Sequence, residues 1–127
     1  MGGRARRQRS RLRRGEIWWA GLGAYRPQEQ LGRRPVVIWQ SDALTRLLES
    51  VLVVPLTTNL SRAHLAGTAL IESFADRRPP EDSVALAFQL RAIPKASLVA
   101  RIRELTPSEW DELELATDEA LGRIRPQ

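Results

Sequence analysis

Cysteine is absent from the 127-residue chain, and histidine occurs once, at His64. The first absence excludes disulfides and thiolate-held metals. The second excludes a His–His acid/base pair within one chain. A Ser-His-Asp triad would have to use His64, in a polar loop where nothing favours it. No His/Cys/Asp cluster has metal-ligand spacing, so no metal is expected. No glycine-rich phosphate loop of the P-loop or dinucleotide type is present. No apolar run reaches the roughly 18 residues of a membrane helix. The N-terminus is basic but is not followed by an apolar segment, which argues against a secretory signal. A reducing cytoplasm is compatible with all of this. The length fits one domain with one core, and no internal repeat appears.

Positive charge is plentiful and unevenly placed. Of the 20 Lys and Arg residues, seven lie within residues 1–14, at Arg4, Arg6, Arg7, Arg9, Arg11, Arg13 and Arg14. All 15 Asp and Glu come later, so the remainder of the +5 chain carries a net −2. The basic character belongs to a leader and not to the body. Such a leader is either a plain disordered extension or a means of non-specific attraction to nucleic-acid phosphates.

The body reads as short strands at close spacing. Glu16–Ala20 is rich in strand formers. Residues 21–33 hold Gly21, Gly23, Pro27 and Gly32 and predict a long mobile loop. Pro35–Gln40 and Val51–Leu56 are apolar runs, hence buried strands, with a short helix capped by Ser41 or Asp42 between them. Further strands are expected at Gly67–Ile71, Ser83–Phe88 and Ser97–Glu104. Thr106-Pro107-Ser108-Glu109 offers an N-cap, a proline at the first helical position and a capping-box glutamate. The apolar stripe from Trp110 to Ile124 extends it as a structural helix with its acids in solvent and Gly122 at its end. The pattern predicts a mainly β (α+β) fold, a compact antiparallel barrel with short helices. Trp18 and Trp19 should point to opposite faces, one inward and the other toward an interface, and Trp39 should lie in the core.

The chemistry available is that of Arg, Thr, Glu and Gln. Arg34 precedes Pro35, which biases it toward extended backbone, and its fork can hold two phosphate oxygens. Thr57 and Thr58 end an apolar strand and offer hydroxyls to a phosphate or ribose. Glu29 either accepts a ribose 2′-hydroxyl proton or orients Arg34. Gln89 is a candidate to read a base edge or brace the loop, and Arg91 to meet phosphate or a partner's acid. Together these residues suggest a metal-free phosphate site at the ends of adjacent strands.

Five segments in register carry a resemblance. Arg14-Gly15-Glu16-Ile17-Trp18, Glu29-Gln30…Gly32-Arg33-Arg34-Pro35-Val36-Val37, Val54-Pro55-Leu56-Thr57-Thr58-Asn59, Asp82-Ser83-Val84-Ala85 and Gln89-Leu90-Arg91-Ala92-Ile93 resemble the successive motifs of the MazF/PemK toxin family, from about residue 14 to 122. The resemblance implies a leader over 1–13 and a toxin domain over 14–124, with an SH3-like barrel of the Kid/CcdB type and a homodimer. It implies a cofactor-free, metal-independent endoribonuclease that cuts single-stranded RNA at short sequences, leaving 2′,3′-cyclic phosphate and 5′-hydroxyl ends. Arg34 and Thr57 would be its catalytic pair with Glu29 nearby, and Gln28, Gln30, Arg33, Thr58, Asn59, Gln89 and Arg91 would contact RNA. A MazE-like antitoxin with an acidic tail would fill the same groove. Gln28 and Phe88 depart from residues that some members carry. The alternatives on the same fold are a gyrase-binding toxin of the CcdB type and a non-catalytic RNA-binding barrel. The polar end Gly122-Arg123-Ile124-Arg125-Pro126-Gln127 argues against the gyrase-binding toxin.

Overall fold

The computed structural model describes residues 11–21, 32–74 and 76–123. In chain order these form β1 (Glu16–Gly21), β2 (Arg33–Ile38), α1 (Asp42–Leu47), β3 (Ser50–Thr57), β4 (Thr68–Ile71), β5 (Ser83–Leu86), β6 (Arg91–Pro94), β7 (Leu98–Glu104) and α2 (Pro107–Ala120), with 3-10 turns at Leu60–Arg62, Ala87–Gln89 and Lys95–Ser97. The strands make one antiparallel sheet in the order β4-β5-β3-β2-β1-β7, with β6 also on β3. Among the described residues no ladder joins β4 to β7, so the expected barrel is an open sheet.

Two arginines bridge the open seam: Arg78, in the segment after β4, donates to the Ile102 carbonyl of β7, and Arg103 makes the larger set of contacts. Arg103 on β7 donates to the carbonyl of Glu72 just beyond β4, to the carbonyls of Arg78 and Glu104, and to both carboxylate oxygens of Glu109 in α2. All five guanidinium N–H groups are thereby used, and the group also stacks on the Phe74 ring at 4.5 Å. Glu109 is the capping-box residue at the start of α2, as the sequence pattern predicts. Unlike the other acids of that helix it is buried, at 7% exposure, so the expectation that all of them face solvent is corrected.

Side chains alternate between two buried faces of the sheet. Ile17, Val37, Val54, Leu56, Ile71, Ala85 and Ile102 pack beneath α2 through Leu113 and Ala116. Trp18, Ala20, Val36, Ile38, Val51, Val53, Ile93 and Leu98 line the other face, where Leu12 joins them. The described fold thus takes in Leu12, which the sequence reading placed in the leader. Trp18 is fully buried, and Trp19 packs against the α2-side core instead of pointing to an interface. Trp39 is buried as expected and donates its indole N–H to Thr117 Oγ1 at 2.8 Å.

Arg14 is part of this architecture. Its guanidinium lies 3.9 Å from the Trp39 ring centroid and 4.9 Å from that of Trp110, and its Nε donates to the Trp39 carbonyl. Gly15 beside it has φ +92°, and a Cβ there would stand 2.0 Å from the Trp110 ring. Gly15→Ala therefore combines an unfavourable backbone region with a clash against a packed indole. It should destabilise the fold by about 2–4 kcal/mol in a urea titration.

The third apolar strand ends differently from the sequence expectation. Ser83–Phe88 is broken at Leu86 by the 3-10 turn Ala87–Gln89, and the chain then resumes pairing as β6. Leu56 pairs with Ala85 while Val53 pairs with Arg91, so three extra residues enter between the two ladders on the same strand. The turn takes up this excess, and β6, which periodicity does not reveal, continues beyond it.

Candidate active site

The site begins where the β2–β3 ladder ends. The ladder pairs Ile38 with Val53, Val37 with Val54 and Val36 with Pro55, and stops there. Pro55 has no N–H to donate. Two residues further along each strand come Arg34 and Thr57. Continuing the register sets them opposite one another, on the face that carries Val36. On the far side of β2, Arg34 pairs with Ala20, which in turn pairs with Leu98; on the far side of β3, Thr57 pairs with Val84. One lateral row across five strands therefore reads Leu98, Ala20, Arg34, Thr57, Val84. The three apolar members are fully buried, whereas Arg34 and Thr57 are half-buried.

That placement has an electrostatic consequence. A guanidinium beside buried apolar neighbours acts on a ligand through a lower effective dielectric than one in open water. Arg34 is covalently held at a strand end, and the adjacent Pro35 limits its backbone. Thr57 Oγ1 accepts the N–H of Asn59 at 3.2 Å, which fixes the hydroxyl and leaves its own proton to be donated to a phosphate oxygen. Ala20 was not singled out in the sequence. It pairs with Arg34 across the β1–β2 ladder, and the only sequence cue is a small residue between Trp19 and Gly21.

The other candidates are distributed around this row. Arg33 is exposed next to Arg34, and Thr58 is exposed next to Thr57. Asn59 is occupied in a way the sequence did not foretell. Its Oδ1 accepts both the N–H and the hydroxyl of Ser61, capping the Leu60–Arg62 turn. Gln89 is exposed in the turn between β5 and β6, and Arg91 is exposed opposite Val53. Arg91 shares the Arg34 face but lies four residues back along β3 from Thr57, about 13 Å at strand rise. The structure thus sets Arg34 and Thr57 at the end of the β2–β3 ladder, with Arg33, Thr58 and Asn59 beside them in the chain, and sets Gln89 and Arg91 at a distance. Gln28, Glu29 and Gln30 lie outside the described residues.

Two other features among the described residues are poorly suited to a phosphodiester. A cavity of about 220 Å³ near the start of α2 is lined by Leu70, Phe74, Glu72, Glu109 and Glu112, whose carboxylates repel an anion. His64 is exposed, with φ 70° in a loop. Among the described residues no three of His, Cys, Asp and Glu are grouped to hold a metal ion, and no helix is long and apolar enough to cross a membrane.

A cation and a hydroxyl at the open end of an antiparallel ladder mark a small, mainly β protein with a candidate phosphate site. The comparisons then place it. Residues 13–121 match the model of the PemK-like, MazF-like toxin of type II toxin-antitoxin systems, and the chain belongs to that family. It is 32% identical over 111 residues to an endoribonuclease MazF of Staphylococcus epidermidis, covering 87% of this chain and 92% of that protein. Among solved structures it is similar to an endoribonuclease from a mycobacterial species in complex with its cognate antitoxin, with 26% identity and a TM-score of 0.71. That match covers 91% of this chain and 99% of the other. A MazE-MazF structure from Deinococcus radiodurans shares the fold at 17% identity and a TM-score of 0.67, over 87% and 95% of the two chains.

Proposed function

We propose that the protein is the ribonuclease toxin of a toxin-antitoxin pair. In this reading it acts in the cytoplasm on single-stranded RNA and needs no metal. What supports this reading is a cation, Arg34, and a hydroxyl, Thr57, each two residues beyond the last pair of the β2–β3 ladder, in a member of a family whose relatives are named endoribonucleases. RNA brings its own nucleophile. The 2′-oxygen attacks the adjacent phosphorus, the 2′O–P bond forms and the P–O5′ bond breaks, leaving a 2′,3′-cyclic phosphate. The 2′-proton passes to a base, and the departing 5′-oxygen takes up a proton to end as a hydroxyl. The work left to the protein is positioning and charge stabilisation. Arg34 stabilises the negative charge on the non-bridging oxygens of the phosphorane. It does so electrostatically, because a guanidinium does not release a proton at neutral pH. Thr57 donates to the same phosphate. Glu29 either accepts the 2′-proton or orients Arg34.

The same site serves the partners. Arg33 and Arg34 suit the phosphates of RNA and the carboxylates of an acidic antitoxin tail equally well, so inhibition follows from competition, and Arg91 offers a further cation about 13 Å away. We assign homodimer formation to the apolar surface of α1. Leu44, Leu47 and Leu48, at helical spacing, are exposed there, and Leu52 is exposed on the neighbouring strand. Leu47 alone is 79% exposed, more than an isolated monomer needs to tolerate.

The test is cleavage of a long RNA of varied sequence in the presence of a chelator, with the new 5′ ends mapped. Discrete cuts ending in 5′-hydroxyl are expected and would define the recognition sequence. Intact RNA in the presence of folded protein would sink the assignment.

A further inference from the structure

We propose that Asn59 is a positioning residue that acts on the reaction through Thr57. It locks the turn whose backbone N–H holds the Thr57 hydroxyl, and it does not itself touch RNA. The inference rests on the ribonuclease reading above and deepens it.

The first observation is how Thr57 is held. It is the last residue of β3 in either ladder: pairing with β2 stops at Pro55, and pairing with β5 stops at Thr57 itself. Its side chain is half-buried, so packing encloses it only in part. A threonine has three staggered χ1 positions, and each aims the hydroxyl in a different direction. The Asn59 N–H, donated to Thr57 Oγ1 at 3.2 Å, selects one of them. The hydroxyl keeps that direction for as long as this N–H stays in place.

The second observation is what keeps the N–H in place. Asn59 lies beyond both ladders and is exposed, so the sheet does not fix it. Its own side chain does. Asn59 Oδ1 accepts the Ser61 N–H at 3.2 Å and the Ser61 hydroxyl at 2.6 Å. Its carbonyl accepts the Arg62 N–H at 3.1 Å, and the Leu60 carbonyl accepts the Ala63 N–H at 3.0 Å. Asn59 is thereby tied at its N–H, its side chain and its carbonyl, with φ −76° and ψ 92°. It is the residue through which the turn reaches the Thr57 hydroxyl.

The third observation is what Asn59 has left to offer. An amide oxygen has two lone pairs, and here Ser61 takes both. No acceptor remains for a base or a ribose. This weighs against the direct RNA contact that the family resemblance implies and favours a role inside the protein.

The size of the effect follows from the same geometry. With all three χ1 positions of Thr57 equally populated, the productive one would be occupied about a third of the time. Loss of a capping side chain shifts a local equilibrium by about fivefold. Asn59→Ala should therefore lower kcat about three- to fivefold. KM should stay unchanged, because RNA still binds when the hydroxyl is turned away.

The experiment takes two readouts from the parent and from Asn59→Ala, Asn59→Gln and Asn59→Ser. Serine keeps a short capping acceptor without the amide, whereas glutamine keeps the amide but sets it one carbon too far out to cap. Three-bond couplings to the Thr57 methyl carbon give its χ1 populations in the folded protein without RNA. Cleavage of an RNA containing the mapped site, well below each melting midpoint, gives kcat and KM. The parent and the serine variant should show a single Thr57 rotamer and similar kcat. The alanine and glutamine variants should show averaged couplings and the three- to fivefold loss. KM and the cleavage sequence should be the same in all four. An averaged Thr57 in the parent would overturn the proposal, as would averaged couplings in Asn59→Ala at the parent's kcat. A raised KM in the serine variant that glutamine does not share would also overturn it, since that marks an amide contact with RNA. A Thr57 rotamer released by Asn59→Ala, in a parent that cuts no RNA, would uphold the hold of Asn59 on Thr57 and defeat the ribonuclease reading. RNA cut equally well by the parent and Asn59→Ala would do the reverse.

Discussion

Arg34→Ala should lower the rate of RNA cleavage by about 10²–10³-fold while leaving the protein folded. The magnitude follows from the role. Removing one preorganised donor from a developing oxyanion typically costs that much, and here the donor is also a full charge beside fully buried neighbours. The loss should fall on kcat with little change in KM, because the phosphorane carries more charge on its non-bridging oxygens than the ground-state diester does. Arg34→Lys keeps the charge but not the two-pronged geometry, so its activity should lie between the two. The fold should tolerate both changes. Arg34 is half-buried near the end of β2, two residues beyond the last β2–β3 pair, and the core of that strand is Val36, Val37 and Ile38. The measurement is single-turnover cleavage of an RNA containing the mapped site, together with a thermal melt. An Arg34→Ala protein that cuts at the wild-type rate would remove Arg34 from the mechanism.

How far this site was legible depends on what each residue's role requires. Arg34 and Thr57 were legible because both are strand-end residues next to apolar runs, and the run positions set the register. Their positions just beyond the ladder follow once Val36 and Pro55 are known to pair. Gln89 and Arg91 were harder to place. The sequence extends the Ser83 strand up to Phe88, but β3 changes partners along its length and needs a turn in between. That requirement lies in the pairing of distant strands and leaves no local periodicity. Arg-Ala-Ile-Pro, the whole of β6, is too short and too mixed to show one. The outer placement of Trp19 failed for a related reason. Alternation on β1 holds, but both faces of this sheet are covered, so neither side of the strand is an outside. The role of Arg14 was invisible because its partners Trp39 and Trp110 lie 25 and 96 positions away in the chain. The open seam was hidden as well, since whether β4 meets β7 depends on sheet curvature and not on either strand's composition.

Of the two side chains that span that seam, Arg103 should dominate stability. Arg103→Ala should cost about 3–5 kcal/mol, the usual result of removing one partner from a buried ion pair, and should lower Tm by roughly 10–20 °C. The cost arises from what is left behind. Glu109 would remain a buried carboxylate without its two-pronged partner, and the carbonyls of Glu72, Arg78 and Glu104 would lose the same donor. Arg103→Lys should recover little, because one ammonium cannot meet five acceptor directions. The pair also sets a pH dependence. Burial alone would raise the Glu109 carboxyl, but the Arg103 hydrogen bonds, the Thr106 N–H and the Arg103 charge together hold it below its ordinary value of 4.5. Its folded-state value is thus below its unfolded one, so its contribution is complete above about pH 4.5 and fades as pH falls through the lowered value. In Arg103→Ala, burial acts with only the backbone hydrogen bonds of Thr106 and Glu72 against it, so the carboxyl should move upward and the acid-side slope of stability should shrink or reverse. Urea titrations of both proteins between pH 3 and 7 would read the two effects together. A variant within about 1 kcal/mol of the parent, with the same slope, would show that the seam is held by the apolar contacts of α2 and not by Arg103. The outcome bears on function, because the seam lies between β7, which carries Leu98 of the Arg34 row, and β4, which pairs with the β5 strand that carries Val84. If Arg103 holds it, its loss should lower RNA cleavage near the melting range and leave the rate at low temperature close to that of the parent.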